Sequence, residues 1–70
     1  MTGRIERIVR EKALGFIEGE DGNDYVFHRS SLRDVSFDDL HEGPVVTFYV
    51  VKGPQELRAE VVRLRAVVIY

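Results

Sequence analysis

Turn-forming residues break this chain every few positions. Gly3, Gly15, the run Gly19-Glu20-Asp21-Gly22-Asn23, Gly43-Pro44 and Gly53-Pro54 punctuate a sequence of 70 residues. Punctuation this close predicts many short strands. The clearest is Val45-Val46-Thr47-Phe48-Tyr49-Val50-Val51, dense in β-branched and aromatic side chains. Leu57-Arg58-Ala59-Glu60-Val61 alternates apolar with charged residues, the mark of a half-buried strand. Leu14-Gly15-Phe16-Ile17-Glu18 and Asp24-Tyr25-Val26-Phe27-His28 flank the Gly19–Asn23 turn and predict a hairpin with a loop of about five residues.

Two stretches are less regular. Ile5, Ile8 and Val9 fit helical spacing, whereas strand alternation would group Ile5, Arg7 and Val9, so pattern leaves the first segment open. Residues 29–42 read as a connection. Within it, Ser30-Ser31 and Ser36-Phe37-Asp38-Asp39 have the caps and acidic residues that start short 3₁₀ turns. Three strands, a long connection and two more strands predict an all-β, five-stranded antiparallel Greek-key barrel, whose closure removes exposed edges.

A chain of this length makes one domain and buries only about 60% of its unfolded surface. With no cysteine there is no disulfide and no thiolate ligand, and the composition suits a reducing, cytoplasmic setting. Residues 1–9 have Arg and Glu in place of an apolar signal core, and no apolar run approaches membrane-spanning length. The net charge of −2 hides a gradient. Residues 1–19 hold four basic and three acidic groups, residues 20–43 two and seven, residues 44–70 four and two. Screening acts over about 8 Å, so a local basic face works on an acidic protein.

Several chemistries are excluded by their missing parts. His28 and His41 make no zinc site without further ligands. Asp24, His28 and Ser30 have the residue types of a hydrolase triad, but an exposed strand face offers no oxyanion hole. Gly19–Gly22 lacks the Lys-Ser/Thr ending of a phosphate loop, and the acidic turn lacks the closing Glu of a 12-residue calcium loop. The chain is read as a non-enzyme that needs no cofactor.

Lys12-Ala13-Leu14-Gly15-Phe16-Ile17 resembles the first nucleic-acid motif of bacterial cold-shock domains, Lys-Gly-Phe-Gly-Phe-Ile. Tyr25-Val26-Phe27-His28 resembles their second, Val-Phe-Val-His, at matching distance. His28-Arg29-Ser30-Ser31-Leu32, Phe37-Asp38-Asp39-Leu40, Glu42-Gly43, Val46-Thr47-Phe48 and Gly53-Pro54 followed by Arg58-Ala59 and Val62 continue the likeness in order. It covers roughly residues 3–64 and makes a strand of the first segment.

The resemblance implies an OB-fold barrel, with a domain over residues 1–65, that binds single-stranded RNA or DNA with little sequence preference, as an RNA chaperone or regulator. It places Leu14, Phe16, Val26 and His28 on the outer face. Ile5, Ile17, Tyr25, Phe27, Leu32, Val46, Phe48, Ala59 and Val61 then point inward. Phe16 and His28 would stack on bases, Arg7 and Lys12 bring charge, Leu14 and Val26 give apolar contact, Phe37 adds a platform from the long connection, and Arg29 and Arg58 line the rim. Arg7 stands where many members have Trp, Leu14 and Val26 replace two Phe, Ala13 replaces a Gly, and Glu56-Leu57 replaces a Gly-Pro pair. A ring-poor face predicts weak binding. The rival expectation is an OB-fold protein-interaction module that has lost most of its nucleic-acid binding. The tail Ala66-Val67-Val68-Ile69-Tyr70 is apolar. It can extend the last strand, cover a barrel end, or pair with a second chain as a homodimer, or mark a cut through a longer protein.

Overall fold

The computed structural model describes residues 1–65, and the expectations for Ala66–Tyr70 lie outside that range. Five strands run in order: β1 (Thr2–Val9), β2 (Leu14–Gly19), β3 (Asp24–His28), β4 (Val45–Lys52) and β5 (Leu57–Leu64). Short 3₁₀ turns occupy Arg10–Lys12, Arg29–Ser31 and Phe37–Asp39. The strands close into a barrel in the order β1-β2-β3-β5-β4. The expected barrel is therefore present, and the first segment is strand.

Closure requires one departure from an all-antiparallel sheet. An odd number of strands cannot alternate direction all the way round a ring. The seam falls between β3 and β5, which pair in parallel at Val26 and Arg58. A second parallel bridge, Leu32 to Val62, continues it beyond β3.

The core holds Ile5, Ile17, Tyr25, Phe27, Phe37, Leu40, Val46, Phe48, Ala59 and Val62. Alternation along β2 and β3 explains most of it: Ile17, Tyr25 and Phe27 point in, and the residues between them point out. Tyr25 and Phe48 meet as tilted rings 5.2 Å between centroids. Gly15 is needed for space, since a Cβ there would sit 2.5 Å from the Phe27 ring.

Two bulges re-aim the barrel's outer residues. In β1 the register slips between Ile5, opposite Ile17, and Arg7, opposite Phe16, leaving Glu6 as the extra residue. In the β4–β5 pair Thr47 faces Arg63 but Tyr49 faces Glu60, so β5 carries the extra residue. Val61 fills it at φ 52°, a left-handed conformation that is unusual for a β-branched residue. This corrects the alternation expected for β5. Val61 turns partly outward and Val62, 0% exposed, takes the inward place. Leu32, also expected inside, is only half-buried, packed against the core's edge.

The turn between β2 and β3 is held by Asp21. Its carboxylate accepts from the Asn23 backbone N–H at 3.1 Å and from the Tyr25 hydroxyl. Gly22, at φ 85°, supplies the reversal.

Candidate nucleic-acid interface

Strand pairing sets the outer face of β1, β2 and β3 in rows. Arg7 lies opposite Phe16, Phe16 opposite Val26, and Val26 opposite Arg58. Four strands thus present an apolar stripe, one ring and one isopropyl group, with an arginine at each end. Phe16 and Val26 are half-buried, so one side of each is open to solvent, and both arginines are exposed. One row along, Val9 faces Leu14 and Leu14 faces His28.

His28 is fixed by the turn that follows it. Its Nδ1 accepts from the Ser30 backbone N–H at 3.2 Å and lies 2.9 Å from Ser30 Oγ. An accepting Nδ1 puts the ring proton on Nε2, away from the turn. The same 3₁₀ turn carries Arg29, whose backbone N–H donates to Ala13 O at 2.9 Å. That bond brings the turns bearing Lys12 and Arg29 to the same end of the sheet, beside Leu14 and His28. Among the described residues, Arg7, Lys12, Arg29 and Arg58 have no carboxylate within ion-pair distance. Their charges are open to a ligand.

Phe37 is not part of this face. It is 7% exposed and belongs to the core. The long connection is tied down on both sides of it. Arg10 donates to Leu40 O at 2.6 Å and to Phe37 O at 3.5 Å. The Ile8 N–H donates to Glu42 Oε2 at 3.2 Å, and Ile5 exchanges backbone hydrogen bonds with Gly43 and Pro44. Burying a phenyl ring against Leu40 and the barrel stabilises by about 2 kcal/mol, which outweighs leaving it as a free platform. The platform role expected for Phe37 is corrected accordingly, and Arg10 spends its guanidinium on the connection.

The opposite end of the face is acidic, a feature the sequence reading missed. Glu18 pairs with Asp24 across the hairpin, and the β1 bulge aims Glu6 at both. Their carboxylate oxygens lie within 4.8 Å of one another, all exposed. Partial desolvation, then the charge and hydrogen bond of Asp24, then Glu18 raise the Glu6 carboxyl above its ordinary 4.5. Glu6, Asp24, Arg7 and Phe16 surround a shallow hollow of about 360 Å³. Hairpin pairing alone brings Glu18 and Asp24 together. Only the bulge adds Glu6, and no sequence pattern marks it.

A small closed barrel with a cation-flanked apolar stripe on one convex face defines a single-strand binder of the OB type. Comparison with known proteins makes the assignment specific. Residues 1–65 match the family model described as "'Cold-shock' DNA-binding domain". Similar proteins include the cold shock-like protein CspC of Bacillus cereus, 42% identical over 67 residues, covering 91% of this chain and 100% of that one. The major cold shock protein CspA of Pseudomonas aeruginosa is 42% identical over 63 residues, 90% of this chain and 91% of the relative. The cold shock protein CspB of Geobacillus stearothermophilus is 38% identical over 65 residues, 89% and 96%. The chain belongs to the cold-shock domain family, whose members bind single-stranded nucleic acid. That membership favours nucleic acid over the rival protein-interaction reading. No helix among the described residues is long and apolar enough to cross a membrane.

Proposed function

We propose that the chain binds single-stranded RNA or DNA weakly and with low sequence preference, as a cytoplasmic RNA chaperone or regulator that catalyses nothing. The row Arg7, Phe16, Val26, Arg58 carries this reading. Every base has a π-face, so one open ring stacks on any of them, contributing about 1–3 kcal/mol. His28 adds a second ring, and Leu14 and Val26 add apolar contact. Arg7, Lys12, Arg29 and Arg58 meet phosphates. Stacking of this kind holds a strand unpaired without ATP or metal, which is the chemistry a chaperone of RNA structure needs. Binding is weak because aliphatic groups stand at positions 14 and 26 and carboxylates sit beside Phe16.

Titrating a fluorescent oligo-dT or oligo-U hexamer at low salt tests the reading, with NMR shifts as the site readout. Phe16 and His28 signals should move, and three phosphate contacts should give a log–log salt slope near −2, by about −0.7 per contact. No binding at high micromolar protein refutes it. The finer proposal for Ala66–Tyr70 is contact with a second copy, supported by the segment's apolar composition. An unchanged solution mass at high concentration after deleting those five residues refutes that contact.

A further inference from the structure

The row of outer-face residues does not stop at the seam. Arg58, beside Val26 on β3, is also opposite Val51 on β4. One register line therefore runs Arg7, Phe16, Val26, Arg58, Val51 around the barrel. From Phe16 to Val51 is three interstrand steps, roughly 15 Å at the usual strand spacing. Two residues along β4 from Val51, on the same side, stands Tyr49. Tyr49 is 69% exposed and Val51 45%, the two most exposed large apolar side chains among the described residues.

The charge on this reverse face suits a polyanion. Arg58 and Arg63 project from β5, against Glu60, the cross-strand partner of Tyr49. Glu60 accepts from Ser31 Oγ at 3.1 Å, on the side toward the β3 turn. Arg63 pairs with Asp34 at 3.8 Å with both side chains open to water, a pairing worth little. The Val61 bulge opens a hollow of about 330 Å³ beside the Tyr49 ring, lined also by Thr47 and Arg63. The front face offers a ring between cations at one end and three clustered carboxylates at the other. The reverse face offers a more exposed ring, with Glu60 opposite it and Arg58 and Arg63 to either side along β5, and no such cluster among the described residues. β4 pairs with β5 as far as Lys52 but with β1 only at Val45–Thr47, and what this surface offers a nucleic acid is its side chains.

We propose that a single strand longer than the front face can hold crosses the β3–β5 seam at Arg58 and continues onto β4–β5, where Tyr49 stacks a further base and Arg63 meets its phosphate. The inference rests on the nucleic-acid reading of the front face and extends it. It makes the binding site a band around half the barrel and the site size larger than the front row alone implies, within the range of about 4–16 nucleotides for one OB fold.

The test compares a dT hexamer with a dT dodecamer against three variants at low salt, using the full chain. Tyr49 is exposed, so Tyr49→Ser should fold, and Tyr49→Phe keeps the ring. Tyr49→Ser should leave hexamer affinity unchanged and weaken the dodecamer about fivefold or more. Tyr49→Phe should restore it, and Phe16→Ala should weaken both lengths. Amide signals of Tyr49, Val51 and Arg63 should shift with the dodecamer only. If Tyr49→Ser binds the dodecamer like the parent while Phe16→Ala weakens it, the reverse track is wrong and the front-face reading stands. If neither oligonucleotide binds the parent, the front-face reading fails and the extension with it. If Tyr49→Ser instead lowers the solution mass at high concentration, a second copy covers this face and the proposal is overturned.

Discussion

Two rows on the same side of the barrel, two residues apart along β2 and β3 and three along the bulged β1, have opposite chemistry. Arg7, Phe16 and Val26 form one; Arg4, Glu18 and Asp24 form the other, with Glu6 leaning in from the bulge. Both rows face solvent on strands held by the same core. The first can accept a base and its phosphate. The second repels phosphate and is itself under like-charge strain. The fold supplies a convex face, and side chains at a few register positions decide how much of it is usable. A strand bound at Phe16 is pushed away from the hairpin end and toward Leu14, His28 and Lys12.

Rebuilding rings on the binding side should produce the largest change. Leu14→Phe with Val26→Phe flanks Phe16 with two further platforms at positions already half-open to water. At about 1–3 kcal/mol per stack, the pair should tighten oligo-dT binding by up to roughly 2–6 kcal/mol. Direct titration checks it. Unchanged affinity would mean that this row is not where bases lie. The converse change breaks the row. Phe16→Ala should weaken binding by about 1–3 kcal/mol, read by the same titration, with the fold monitored by far-UV circular dichroism.

How much of this could be read from the sequence follows from where alternation holds. Along β2 and β3 the period of two runs uninterrupted, so residue order separated Ile17, Tyr25 and Phe27 from Phe16 and His28, and the family resemblance said which set faces out. At the two bulges it fails. Glu6 and Val61 each add one residue to one strand, and a one-residue slip exchanges the faces of what comes next. That is why the acidic corner was invisible and Val62, not Val61, is buried. Phe37 failed for another reason. Its side depends on hydrogen bonds from Arg10, 27 residues earlier, to the connection's carbonyls, and no local pattern encodes a contact that distant.

A smaller effect concerns the turn that brings Lys12 to the binding end. Ala13 adopts φ 54° and ψ 40° there, the left-handed conformation that suits glycine. Ala13→Gly should relieve it and stabilise the fold by about 1 kcal/mol, raising the thermal midpoint by several degrees in a domain this small. A lowered midpoint would show that the freedom Gly adds to the unfolded chain costs more than the strain it removes.

The carboxylates at the hairpin end give the smallest effects, and they differ in sign. The Asp21 carboxyl is held below its ordinary 3.8, chiefly by the Tyr25 hydroxyl. A carboxyl lowered on folding stabilises fully above its unfolded pKa, and that stability is lost as pH falls through the lowered value, so Asp21 contributes to acid unfolding only below about pH 4. Glu6 is raised, by desolvation and then by Asp24. Its folded form binds a proton more readily than the unfolded one, so its ionisation opposes folding at neutral pH and the opposition lifts as pH falls through its raised value. Glu6→Gln should therefore raise the thermal midpoint slightly at pH 7 and less at pH 4, whereas Asp21→Asn should lower it at pH 7. Glu6→Gln also removes one of three negative charges beside Phe16, and should tighten oligo-dT binding about two- to fivefold at low salt, the gain fading as salt screens the corner. A Glu6→Gln variant that binds no tighter at any salt concentration would mean that the bound strand never comes near the acidic row.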